Sequence, residues 1–217
     1  MGRIEILPQS PMSAIIGTEL TMNRNALIII AKYPEEGQVK TRIEELSDGQ
    51  RTELYKKLLA RTMKKLSSIR GVDTFIAFAP ESAEGYFAQY GVKCIPLHKG
   101  DLGSRMYTAF EKVFSAGYQR AALVGADIPD LSPAIILNAI DILSTHDLVF
   151  GPAEDGGYYL VGMRKLIKEV FEDIPWSSDQ TLERSLDQSV KFKYSVGLTK
   201  TLSDIDTIDD VKRAGLL

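Results

Sequence analysis

The chain has 217 residues, with 26 Lys and Arg against 29 Asp and Glu and a net charge of −3. That balance excludes a general nucleic-acid binder, so any phosphate site must be a local cluster of basic groups. Hydrophobic residues make up 44% and charged residues 25%, which is enough apolar matter to bury a core without disulfide or metal staples.

Residues 1–23 read as an extension ahead of the fold, and residues 24–217 as one domain. The N-terminus lacks a basic region leading into a long apolar core, so no signal peptide is expected. Ile6 stands where a myristoylation motif opening on Met1-Gly2 needs Ser or Thr. No apolar run approaches the roughly 18 residues of a membrane span. A single cysteine, Cys94, allows no intrachain disulfide and no zinc set, and its apolar flanks mark a buried structural thiol. Cytoplasmic residence follows as the expectation.

The first element is Ala26-Leu27-Ile28-Ile29-Ile30-Ala31, a continuous apolar run that predicts a strand buried on both faces. After a polar loop, Ser47 to Gln50 has capping-box spacing and opens a helix running to about Ile69, with Leu54, Leu58, Leu59, Met63 and Leu66 on one side. Val72–Ala79 predicts a second strand. A short helix over Ser82–Ala88 and a short strand over Val92–Pro96 follow. Leu102–Ala116 reads as an amphipathic helix through Met106, Phe110 and Val113. Ala121-Ala122-Leu123-Val124 is another buried strand, and Ser132-Pro133 caps a helix through Ile142. Strands are expected at Leu148–Gly151 and Tyr158–Val161, then a helix capped by Ser177 or Ser178 and reaching about Leu186. A late strand at Phe192–Val196 and a terminal helix capped at Thr207 complete the chain. This alternation predicts an α/β fold with a mainly parallel sheet covered on both faces. Such sheets hold ligands beyond the carboxyl ends of their strands.

Four loops there carry chemistry. Lys32 to Arg42, after the first strand, offers Lys32, Lys40 and Arg42 with Gly37 for close backbone approach, the donor types a polyphosphate requires. The spacing is neither a Walker A nor GxGxxG, and a solvated surface loop is an equal reading. Asp127 lies two residues past a buried strand, where a carboxylate suits a hard divalent cation; Asp130 reads as a turn residue. Glu154-Asp155-Gly156-Gly157 interrupts two apolar runs, with glycines that let the backbone pass close to a ligand. Tyr158 and Tyr159 then point to opposite faces of the next strand. Asp204 and Asp206 point to one side of an extended segment, although Asp206 equally suits the N-terminus of the following helix. Trp176 is an acceptor-side platform or a packed anchor. With only His98 and His146 present, histidine base chemistry is a poor fit. Cations, scattered carboxylates and a glycine turn suit metal-assisted transfer from an activated phosphate donor.

The segments ALIIIAKYPEEGQVKTRI, GDLGSRM, GADIPDLSP, GPAEDGGYYLVG, IPWSS and SDIDTIDD occur in that order. Together they resemble a bacterial family of glycosyltransferase-like proteins, formerly a domain of unknown function. That family belongs to the nucleotide-diphospho-sugar transferase (GT-A) superfamily and is more distantly similar to phospholactate and molybdenum-cofactor guanylyltransferases. The resemblance implies a three-layer α/β/α sandwich and a Mg²⁺- or Mn²⁺-dependent transferase. It implies Lys40 and Arg42 in a donor-phosphate loop and Gly103 and Arg105 facing the nucleotide. Asp127, Asp204 and Asp206 would hold the metal, and Glu154, Asp155, Gly156, Gly157 and Tyr158 would form the acceptor side. Asp127, Asp155 and Lys40 would be catalytic. Two departures stand out: the Leu-Ala-Gly-Gly start of nucleotidyltransferases is replaced by AKYPEEG, and the Asp-x-Asp of glycosyltransferases is stretched to Asp127-Ile128-Pro129-Asp130. Expected partners are a nucleotide sugar, or alternatively a nucleoside triphosphate, and a small acceptor. A non-catalytic nucleotide-binding module is the third reading.

Overall fold

The computed structural model describes residues 24–216; the extension expected over residues 1–23 lies outside them. The run Ala26-Leu27-Ile28-Ile29 is fully buried at the centre of β1 (Asn25–Lys32). That burial explains why the run is continuously apolar rather than alternating. Strand β1 lies between β2 (Val72–Ala79) and β4 (Arg120–Gly125), parallel to both. Strand β3 (Lys93–Pro96) extends the sheet beyond β2. On the far side of β4 lie β6 (Tyr158–Met163), β5 (Leu148–Pro152) and β7 (Val196–Leu198), so the order is β3-β2-β1-β4-β6-β5-β7. Strand β6 runs antiparallel to both of its neighbours, whereas every other pair is parallel. The carboxyl ends of β1, β4 and β5 therefore share one edge.

Helices α1 (Asp48–Leu66) and α4 (Pro133–Ile142) cover one face, packing Leu59, Met63, Ile136 and Ile140 on Leu27, Ile29, Ile76 and Val124. Helix α3 (Leu102–Ser115) covers the other, packing Met106, Phe110 and Val113 on Ile28, Ala77 and Leu123. Alternate strand residues thus enter alternate cores, giving the expected three-layer α/β/α sandwich. Helix α2 (Glu84–Phe87), flanked by single 3₁₀ turns, bridges β2 and β3. Helix α5 (Thr181–Lys191) adds Leu182 and Leu186 to the α3 face. Helix α6 (Ile208–Arg213) closes a small third core, where Val211 and Ile205 meet Ile43, Leu54 and Leu58. That core ties the chain's last loop to the loop after β1.

The caps follow the sequence closely. Ser47 and Gln50 form a reciprocal capping box, as do Thr207 and Asp210. Ser132 occupies the N-cap of α4 without a side-chain bond. Three expectations need correction. The strand expected at Phe192–Val196 is displaced, because α5 continues to Lys191 and strand pairing covers only Val196–Leu198. Of the apolar residues that suggested a strand, Phe192 is 42% exposed, and Tyr194 and Val196 are only partly buried against the α3-side core. Lys193, in the left-handed region at φ 60°, reverses the chain, and the Tyr194 N–H closes the helix end on the Ser189 carbonyl. The serines expected to cap α5 instead build the turn before it. The Ser178 Oγ accepts from the Gln180 N–H, and the helix starts at Thr181. Cys94 is half-buried rather than buried, and burial raises its thiol pKa.

Candidate active site

The loop after β1 folds back over the sheet edge because Val39 and Ile43 are buried in two different cores. Lys40 lies between them with φ 51°, a left-handed conformation that is strained for a side chain of this size. Its side chain is only 5% exposed and its Nζ lies 2.6 Å from Asp127 Oδ2. The same Nζ donates to the Ile205 carbonyl at 2.5 Å and stands 3.6 Å from Asp206 Oδ1. Burial pulls the Lys40 ammonium toward neutrality, but Asp127, with help from Asp206 and Asp204, reverses this and raises its pKa. Arg42 reaches Asp206 from the solvent side, Nη1 to Oδ2 at 2.7 Å.

A second cluster adjoins the first. Carboxylate oxygens of Asp155, Asp204 and Asp206 all lie within 4.8 Å of one another. Asp155 and Asp204 make no ion pair among the described residues. Burial first, then Asp206, Asp127 and Asp155, push the Asp204 carboxyl up to about 6, with Lys40 opposing them. All three are hard oxygen donors, only Asp206 is ion-paired (to Lys40 and Arg42), and such a set fits Mg²⁺ or Mn²⁺. Asp155 is oriented by its own turn, Oδ1 accepting the Gly157 N–H at 2.9 Å.

A β-bulge shapes this turn. Gly151 pairs with Leu160 and Pro152 with Tyr158, which leaves Tyr159 as the extra residue. Tyr158 accordingly joins the α3-side core and Tyr159 the α1-side core. Gly156 has φ +86°, and a Cβ there would lie 2.1 Å from the Asp179 carbonyl oxygen. Its missing side chain admits the protein's own backbone rather than a ligand.

The cleft that unites these groups has a volume of about 440 Å³. Lys32, Lys40, Arg42, Arg105, Asp127, Asp155, Gly157, Tyr158, Asp204 and Asp206 all line it. Gly37, Glu154, Gly103 and Gly156 are not among its lining residues. Gly37 makes a left-handed turn near Asp48. Glu154 is exposed and accepts a hydrogen bond from Ser203 at 2.5 Å. Gly103 is buried, and a Cβ there would lie 2.5 Å from the Trp176 ring. Asp127, expected beside Asp204 and Asp206, is engaged by Lys40, and Asp155 completes the triad.

Sequence reasoning overlooks Tyr55 and Ser177. The Tyr55 hydroxyl accepts the Lys32 N–H at 2.8 Å and lines the cleft. Periodicity marks Tyr55 only as part of the α1 apolar stripe, so no sequence signal separates it from a core residue. Ser177 lines the cleft at φ 63°, and no short motif encodes that conformation.

The fold is that of the nucleotide-diphospho-sugar transferases, and the protein is a transferase. A provisionally assigned nucleotide-diphospho-sugar transferase from Desulfovibrio desulfuricans G20 is 30% identical, with 86% of this chain and 84% of that chain covered and a TM-score of 0.80. A 4-diphosphocytidyl-2C-methyl-D-erythritol synthase from Anaerococcus prevotii superposes with a TM-score of 0.59 at 12% identity, covering 90% and 96% of the two chains. A manganese complex of a Mycobacterium tuberculosis H37Rv protein gives 0.54 at 14% identity, covering 88% and 97%. At such identities the latter two share the fold alone. No curated protein matches the sequence. Residues 62–178 match the family described as an uncharacterized protein conserved in bacteria (DUF2064), and the chain belongs to that family.

Proposed function

We propose that this protein is a divalent-metal-dependent transferase that takes a glycosyl group from a nucleotide-diphospho-sugar to a small acceptor. The observation that carries this reading is the carboxylate triad Asp155, Asp204 and Asp206 beside the buried Lys40 at the carboxyl ends of β1, β4 and β5. The 30%-identical Desulfovibrio protein supports the donor class, and the manganese complex of the same fold supports the metal.

In this reading Asp155, Asp204 and Asp206 hold Mg²⁺ or Mn²⁺. When bound, the ion neutralises charge that develops on the leaving diphosphate. Lys40 and Arg42 carry the donor phosphates, with Lys32 at the mouth. Asp127 keeps the Lys40 ammonium charged and fixed, because the pair is short and largely dry. The transfer joins an acceptor oxygen to the anomeric carbon and breaks that carbon's bond to the diphosphate, which leaves as the nucleoside diphosphate. Asp155 marks the acceptor side, and the Gly157 N–H limits its rotation.

One observation favours a second reading, nucleotidyl transfer from a nucleoside triphosphate. Two cations, Lys40 and Arg42, converge on Asp206 within 4 Å, a density suited to a triphosphate. The solved relatives of this fold include a synthetase complexed with CTP. Thermal stabilisation by a panel of nucleotide sugars and triphosphates, with and without Mg²⁺ or Mn²⁺, separates the two. A ligand at 100 times its Kd adds about 2.7 kcal/mol of stability. Glycosyl transfer expects metal-dependent stabilisation by a nucleotide sugar. Stabilisation by triphosphates alone selects nucleotidyl transfer, and no metal-dependent stabilisation by either class refutes both.

A further inference from the structure

The cleft has two chemically distinct ends. The carboxylates and Lys40 lie toward the α1 face. Toward the α3 face the lining is Leu97, Leu102, Met106, Tyr158 and Trp176. Leu102 opens α3 yet stays 42% exposed, an apolar side chain left in the cleft rather than packed. Trp176 sits tilted over Phe171 and edge-on to Tyr158, with its six-membered ring against the bare Cα of Gly103. Its position is therefore set by packing. The next residue, Ser177, holds the left-handed backbone conformation already noted, so the loop that presents Trp176 to the cleft is strained.

One cation faces this apolar end. Arg105, in the first turn of α3, lines the cleft and forms no ion pair among the described residues. Its Nε is buried without a hydrogen-bond partner. The carboxylate one helical turn before it, Asp101, is already engaged in capping the Ser104 N–H at 2.7 Å. The buried Nε is out of a ligand's reach, but no described residue bonds or pairs with the Nη groups, which leaves them for a ligand. An acidic group is the ligand that matches its fork.

We propose that this end of the cleft is a subsite for an amphipathic acid, with an apolar body against Leu102, Met106 and Trp176 and a carboxylate or phosphate on Arg105. The proposal rests on the reading of the opposite end as the donor and metal site, and it makes the acceptor an acid with an apolar body rather than a free sugar.

Trp176 is the only tryptophan in the chain, so its fluorescence reports on this subsite directly. The full chain is titrated with 3-phenylpropionate, phenyl phosphate, 3-phenylpropanol and acetate, without metal or nucleotide. One or both aryl acids are expected to change the Trp176 emission saturably, the neutral alcohol to bind at least 10-fold more weakly, and acetate to have no effect. Binding of only one aryl acid tells which acidic group the subsite takes. Arg105→Gln should bring the acid down to the affinity of the alcohol, and Arg105→Lys should restore part of the difference. Equal binding of acid and alcohol, or no saturable change with any aryl probe, overturns the proposal. So does an Arg105→Gln chain that loses nucleotide stabilisation, since Arg105 would then serve the donor. If the wild type shows no metal-dependent nucleotide stabilisation yet the acid titration holds, the donor reading fails and the subsite stands. A melting curve of each variant confirms that it is folded.

Discussion

Lys40 joins three demands in one residue: a left-handed backbone, a nearly dry ammonium and contacts to two acidic loops. Removing the ammonium leaves Asp127 without a cation, whereas Asp206 keeps Arg42. Asp127 is still 29% exposed, so the cost should fall below the 3–5 kcal/mol of a fully buried pair. Lys40→Ala is expected to lose about 2 kcal/mol in chemical denaturation. Lys40→Gly loses the same charge but relieves the backbone, and it should be at least as stable as Lys40→Ala, the reverse of their usual order. A markedly less stable glycine variant means that φ 51° is not strained in solution. Asp204 gives a pH-dependent counterpart. Its folded pKa of about 6 lies above the unfolded value, so it contributes stability that is full below pH ~4 and lost as pH rises through 6. Without divalent cations, Asp204→Asn should therefore melt a few degrees above wild type at pH 8 and level with it at pH 4. The same variant should lose metal-dependent stabilisation, and an Asn variant that keeps it places the cation elsewhere.

At the level of elements, the turn between β5 and β6 separates folding from function within two adjacent glycines. Gly156 combines φ +86° with a Cβ position 2.1 Å from the Asp179 carbonyl oxygen, so Gly156→Ala must move backbone. We expect it to cost about 3 kcal/mol and to loosen α5, whose Leu182 N–H bonds the Gly156 carbonyl at 3.1 Å. At Gly157 a Cβ would meet only the Asp155 carboxylate, whose Oδ1 lies 3.1 Å away. Gly157→Ala should fold with stability near wild type but weaken metal affinity, because it displaces Asp155. Denaturation midpoints and Mn²⁺ titrations of the two variants check this division. The double glycine was visible in the sequence, but its purpose was not. A φ above zero can serve a ligand or a neighbouring backbone, and only the position of Asp179 decides between them. The buried strands and the two capping boxes were legible because each rests on local chemistry. The late strand is displaced because Phe192 and Tyr194 are apolar without being fully buried, so hydrophobicity points to burial that tertiary packing supplies only in part.

For the whole molecule, the sheet order governs what the site contains. Alternating elements predict parallel pairing, and β6 breaks the pattern by lying antiparallel between β4 and β5. That insertion sets Asp155 beside Asp204 and Asp206. The individual acids could be read from the sequence as candidates, but not which three converge, since their partners lie about 50 residues apart along the chain. Far from the site, Asp147 at the start of β5 ties the second half of the sheet together. Burial pushes its carboxyl up, but the Ser195 N–H and hydroxyl, Arg164 and Lys165 outweigh it and hold it well below the ordinary carboxylate range. A depressed folded pKa gives stability that is present above pH ~4 and lost as pH falls below it. Asp147→Asn should be about 2 kcal/mol less stable at pH 7 and should lose less stability between pH 4 and 2 than wild type. The central claim is that carboxylates brought together by this topology make nucleotide binding depend on a divalent cation. Calorimetric titration of a nucleotide-diphospho-sugar with Mn²⁺ present, and again with excess EDTA, tests it most directly. Binding with Mn²⁺ is expected to weaken at least 10-fold in EDTA. Equal affinity under the two conditions would contradict it.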